Sequence, residues 1–133
     1  MKTIEVVAAI IINEGKILCV QRNINKYEYI SKKFEFPGGK IETGETKEET
    51  IKREIKEELE MEIEIQEEYL TVEHEYPDFR LIMHSFICTC KDTSLTLTEH
   101  IDYRWLLKNE LAILDWAAAD LPIVEELLKT KLW

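Results

Sequence analysis

Cysteine, proline, glycine and positive charge are all scarce in this sequence. Its three cysteines, Cys19, Cys88 and Cys90, are odd in number and follow no framework spacing, which excludes a disulfide scaffold. Cys88 and Cys90 alternate about Thr89 and share one face of a strand; with no second cysteine pair or ligand-spaced histidine, they do not make a zinc site. Lysine and arginine number 17 against 27 aspartates and glutamates, a net charge of −10. A nucleic-acid polymer or an anionic membrane needs a basic face, so neither is expected as a partner. No apolar run approaches the ~18 residues of a membrane span. Residues 1–7 lack the apolar core of a signal peptide, so the cytoplasm is the expected location. Only four glycines occur, and three of them, Gly38, Gly39 and Gly44, crowd one stretch behind Pro37.

What is present suits one domain over residues 1–133. The chain is 45% hydrophobic, with no internal repeat and no linker. Ile4 to Ile12 is a β-branched apolar run and reads as a buried strand. Asn13-Glu14-Gly15 turns into a second strand, Lys16 to Gln21. A polar loop, 23–33, leads to a short extended piece, Phe34 to Phe36. Beyond residue 60, Met61, Ile63 and Ile65 alternate with glutamates as a half-buried strand. Tyr69 to Tyr76 and Phe79 to Lys91 read as strands about the Pro77-Asp78 turn. The connection 92–102 is polar, with a short strand expected at Leu95 to Leu97. Tyr103 to Leu107 is a further strand, Lys108 starts a short helix, and Asp120 to Lys131 forms the last helix, with Pro122 in its first turn. Strands on either side of a central helix imply an α/β protein with a mixed sheet between helices.

The central helix follows the glycines. Thr46 and Glu49 have capping-box spacing, and Ile51, Ile55 and Leu59 form an apolar stripe. Glu54, Glu57 and Glu58 fall at i, i+3 and i+4 on a neighbouring face. Grouped carboxylates repel by a few tenths of a kcal/mol per pair. A divalent cation would turn that repulsion into ligation, since magnesium favours carboxylate and phosphate oxygens. Taken alone, the carboxylates read more simply as a solvated charged face.

The preceding loop changes the balance. Gly39, Glu45 and Arg53-Glu54-Ile55-Lys56-Glu57-Glu58, at fixed spacing, resemble the signature of the Nudix hydrolases. One position departs: Glu60 stands before Met61 where the family normally has glycine, which puts the helix exit in question. The opening IEVVAAII, the GKIL hairpin with Gln21-Arg22, and Ala119-Asp120-Leu121-Pro122 look like the MutT-type subfamily, and in detail most like its CTP pyrophosphohydrolase branch.

The resemblance implies a Nudix-type α/β/α sandwich and a magnesium-dependent pyrophosphohydrolase, with manganese as a possible substitute. The substrate would be a (deoxy)nucleoside triphosphate, CTP or dCTP or a modified nucleotide, cleaved to monophosphate and pyrophosphate. The state would be monomer or homodimer. An 8-oxo-dGTP-type pool-sanitising diphosphatase is the alternative. A non-catalytic nucleotide-binding module is disfavoured because every glutamate of the signature is kept, and a calcium-binding acidic domain leaves the glycine loop without a role. By the match, Glu54, Glu57 and Glu58 are metal ligands, with the Gly39 carbonyl as a further candidate, and Arg53 orients a glutamate. Glu99, six residues before Trp105, and Glu57 compete as the general base; Glu99 reads equally as a solvated loop residue. Arg22 and Arg80 are candidates for phosphate contact, with Arg80 reading equally as a surface strand residue. Phe36 is placed to stack on the base. Asp120 faces the base, caps the last helix, or does both. His74, His84 and His100 read as strand and loop residues, with His100 marked only by its place next to Glu99.

Overall fold

The computed structural model describes residues 1–130. Strand β1 (Lys2–Asn13) and strand β2 (Lys16–Gln21) meet in a tight hairpin. Both turn residues, Glu14 and Gly15, have positive φ, as the twist of a two-residue hairpin requires. β3 (Phe34–Glu35) pairs with β2, and β4 (Gly38–Lys40) runs antiparallel to the middle of β1. Helix α1 spans Lys47–Leu59. β5 (Glu64–Glu75), β6 (Phe79–Thr89) and β7 (Asp102–Leu107) follow, then 3-10 turns at Lys108–Ile113 and Ala118–Asp120, and helix α2 (Leu121–Lys129).

The sheet has the order β3-β2-β1-β6-β5, with β4 attached to β1 and β7 to β2. It is mixed: β1 and β6 are parallel, the remaining pairs antiparallel. Alternation along the central strands feeds two cores. Val7, Ala9 and Ile11 of β1, Leu18 and Val20 of β2, and Phe86 and Cys88 of β6 pack on Ile51, Ile55 and Leu59 of α1. Ala8, Ile10, Ile17, Met83 and Ile87 pack on Trp116, Ile123 and Leu127 on the opposite face. Each fully buried Ile or Leu contributes about 1.5–3 kcal/mol, so the stripe of α1 alone fixes its docking. Cys88 and Cys90 do share the α1 face, and burial pushes the Cys88 thiol up to about 12. No helix among the described residues is long and apolar enough to cross a membrane.

Four local expectations are corrected. Met61 and Ile63 lie before β5, not in it, yet both are buried beneath α1. The strand they were expected to form, and the one at Tyr69 to Tyr76, are replaced by the single strand β5, which stays paired with β6 through two register shifts. Bulges of this kind bend a strand while the ladder continues. Leu95 to Leu97 is not a strand. This stretch and the residue after it instead serve the end of α1: the Thr96 and Thr98 N–H groups donate to the Leu59 and Glu58 carbonyls at 2.9 and 3.1 Å, satisfying acceptors that a helix end leaves open. The last helix begins at Leu121, one residue after Asp120; its expected end at Lys131 lies outside the described residues.

Candidate active site

The glycine pair is needed for closeness, not for a left-handed backbone. Gly38 and Gly39 lie in β4 opposite Ala8 and Val7. A Cβ on Gly38 would sit 1.9 Å from the Val7 carbonyl oxygen. A Cβ on Gly39 would sit 2.4 Å from the Glu54 carboxyl carbon. The bare Gly39 backbone therefore makes the cradle in which the Glu54 carboxylate rests. Gly44, at φ 87°, is the glycine that turns the chain toward α1. Thr46 then caps the helix in a full capping box with Glu49.

Arg53 gathers the acidic residues. Its Nε donates to Glu45 Oε2 at 2.6 Å and its Nη2 to Glu45 Oε1 at 2.9 Å. Its Nη1 reaches Glu54 Oε1 at 3.0 Å and Glu57 Oε2 at 3.2 Å, and Nη2 also reaches the Lys40 carbonyl at 3.3 Å. This paired geometry on Glu45 is what a guanidinium offers and an ammonium does not. The bonds from Arg53 hold the Glu45 carboxyl down to about 2.

Glu58 is the strained member of the group. It is 7% exposed, and its Oε2 is buried with no hydrogen-bond partner. Burial, reinforced by a hydrogen bond with Glu54 and by the charges of Glu35, Glu54 and Glu99, pushes its carboxyl up to about 9. A buried acceptor without a donor, beside further carboxylates and the Gly39 cradle, suits a hard divalent cation. Among the described residues no three acidic, histidine or cysteine side chains are already drawn into a ligand cage. Glu57 turns outward to Arg53, with its side chain 60% exposed.

A cleft of about 440 Å³ opens over this group. Gly39, Glu58, Glu99, Arg22, Glu35, Phe36, His100 and Asp120 all line it. Arg22 Nη1 donates to Glu35 Oε1 at 3.0 Å, and His100 Nε2 lies 3.0 Å from Glu35 Oε2. Asp120 is 4% exposed and makes no side-chain cap to α2; its Oδ1 accepts the Phe36 N–H at 3.0 Å. That rules out the helix-cap role. Burial, then the charge of Glu35, pushes its carboxyl well above the usual range. The Phe36 ring is 2% exposed and packs on Trp116 with centroids 4.7 Å apart. Arg80 is not brought here: it pairs with Glu73 on the open face of the sheet.

The structure thus draws Gly39, Glu54, Glu58, Glu99, Arg22, Phe36 and Asp120 into or against one cleft, with Arg53 behind them. Sequence reasoning missed Glu35 and marked His100 only by its place next to Glu99. A charged residue between two buried aromatics, Phe34 and Phe36, immediately before the glycine pair was the available signal for Glu35.

The NUDIX domain family matches residues 2–127. The chain is similar to the CTP pyrophosphohydrolase of Escherichia coli (strain K12), at 33% identity over 125 residues, 94% of this chain and 91% of that enzyme. It is also similar to the 8-oxo-dGTP diphosphatase of Haemophilus influenzae (strain ATCC 51907 / DSM 11121 / KW20 / Rd), at 42% identity over 77 residues, 57% of this chain and 55% of that one. Among solved structures, the MutT protein from Methanosarcina mazei Go1 superposes with a TM-score of 0.86 at 26% identity, covering 96% of this chain and 94% of that one.

Proposed function

Since the chain belongs to the NUDIX domain family, we propose that it is a magnesium-dependent pyrophosphohydrolase that converts a (deoxy)nucleoside triphosphate, CTP or dCTP first, to the monophosphate and pyrophosphate. The observation that carries this reading is the position of Glu58: a buried carboxylate with an unpartnered oxygen, beside the Gly39 cradle and Glu54, in the lining of a cleft of about 440 Å³.

Glu54, Glu57, Glu58 and the Gly39 carbonyl would hold the cation, and Glu57 need only turn from Arg53 to join them. A bound divalent ion neutralises phosphate charge and polarises the phosphoryl oxygens, which the acidic chain cannot do alone. Arg53 keeps Glu54 and Glu57 oriented against their mutual repulsion. Glu99, in the cleft, accepts the proton of the attacking water on its carboxylate. Arg22 meets the phosphates while Glu35 fixes its guanidinium. Asp120 faces the base edge with the oxygen that Phe36 leaves free.

The similarity to an 8-oxo-dGTP diphosphatase supports a second reading, in which oxidised purine nucleotides are the substrate. Pyrophosphate release from CTP, dCTP, UTP, dUTP and 8-oxo-dGTP, with magnesium and with chelator, separates the two. Release from none of them in magnesium would overturn both.

A further inference from the structure

Glu99 sits on a segment without regular secondary structure, and yet that segment is staked on both sides. Before it, the Thr98 N–H donates to the Glu58 carbonyl at 3.1 Å, and Thr98 Oγ1 donates to the carbonyls of Glu57 and Glu58 at 3.1 and 2.9 Å. After it, the Ile101 N–H donates to the Gln21 carbonyl at 3.0 Å. Between these stakes His100 turns inward, its side chain 5% exposed, and meets Glu35 through Nε2 at 3.0 Å. A carboxylate accepts, so the ring proton of this pair lies on Nε2. Both Glu35 oxygens are engaged within the protein, the other one by Arg22.

We propose that His100 is a positioning residue for hydrolysis: its bond to Glu35 sets the place of the adjacent Glu99 carboxylate relative to Arg22, and so aligns the proton acceptor with the phosphate-binding side of the cleft. A buried imidazole joined to a half-buried carboxylate is a stiff link, where the neighbouring backbone bonds alone leave a loop residue free to swing. Small misplacements of a reacting group cost about a hundredfold in rate. The inference rests on the role given to Glu99 above.

The test is steady-state kinetics of His100→Ala, His100→Gln and Glu99→Gln on the preferred triphosphate in magnesium, with thermal unfolding as a check on folding. A glutamine can place an amide N–H where Nε2 was. His100→Ala should lower kcat by about ten- to a hundredfold with KM changed less than about threefold, since Arg22 keeps Glu35. His100→Gln should recover most of the loss. Amide exchange at Thr98 and Ile101 should quicken in His100→Ala and return in His100→Gln; this readout stands even if turnover is too low to measure. If Glu99→Gln is crippled while His100→Ala keeps kcat within about threefold, or if His100→Gln is no better than His100→Ala, the positioning role is wrong. Near wild-type kcat in Glu99→Gln would instead remove the proton-acceptor reading itself.

Discussion

The carboxyl of Asp120 accepts the backbone N–H of Phe36 at 3.0 Å, joining the start of α2 to the strand that leads into the glycine pair. The two residues are 84 positions apart. The bond ties Phe36 to a carboxyl that also lines the cleft.

Base choice follows from that geometry. Where Asp120 is ionised in the bound state its free oxygen is an acceptor only, so it can take the amino group of cytosine, whereas uracil presents a carbonyl at the same place. CTP and dCTP should exceed UTP and dUTP in kcat/KM by ~10²-fold. Asp120→Asn retains an acceptor for Phe36, so it should fold and hydrolyse, but with that ratio narrowed. An unchanged ratio would leave Asp120 as a tie to Phe36 and nothing more.

The two glycines should respond differently to alanine. Gly38→Ala puts a Cβ against backbone, 1.9 Å from the Val7 oxygen, and should disrupt the β1–β4 pairing and lower thermal stability. Gly39→Ala meets the end of the flexible Glu54 side chain at 2.4 Å, which can move aside. It should fold and lose activity. Equal losses of stability in both, read by urea denaturation, would contradict the cradle.

Glu58 makes stability depend on pH with a definite sign. Its carboxyl titrates at about 9 in the fold against 4.5 for an ordinary glutamate. Between those values folding takes up a proton, so the contribution is full below the lower value and is lost as pH rises through the upper one. Glu58→Gln removes that loss. With chelator present, its Tm should exceed wild type near pH 8 and match it near pH 5. Magnesium needs the ionised carboxylate and should favour wild type near pH 8. A gap that ignores pH would mean that Glu58 is not held protonated by burial.

Glu60 answers the question raised by its departure from the family pattern. It adopts the left-handed conformation at φ 54° and ψ 37°, and its N–H donates to the Lys56 carbonyl, so α1 ends as if glycine were there. The conformation costs a side-chain-bearing residue about 1 kcal/mol. Glu60→Gly should therefore raise unfolding free energy by about 0.5–1 kcal/mol with kcat unchanged. A loss of stability in urea titration would contradict this.

Local signals were the legible ones. The Thr46–Glu49 capping box, the Ile51-Ile55-Leu59 stripe and the Asn13-Glu14-Gly15 turn each depend on neighbours within a few residues, and each is present. The signature glutamates were legible as a group, but their different states were not. Glu58 is buried and Glu57 exposed only because α1 docks with one face on the sheet. Contacts across long stretches were hidden. Asp120 at a helix start looks like a cap in sequence, and only the docking of α2 turns it to Phe36. The Glu35–His100 bond spans 65 positions and has no local mark. β5 was split in reading because its bulges break the period of two.

In the proposed reading, the carboxylates of α1 hold the cation on which hydrolysis depends. The direct measurement is pyrophosphate release from CTP by wild type and Glu57→Gln across a magnesium titration. Wild type should be inactive in chelator and saturate with magnesium. Glu57→Gln should fold as well as wild type, need more metal, and turn over at least about a hundredfold more slowly at saturation. Wild-type turnover by Glu57→Gln at saturating magnesium, or release by wild type in chelator, would contradict the claim.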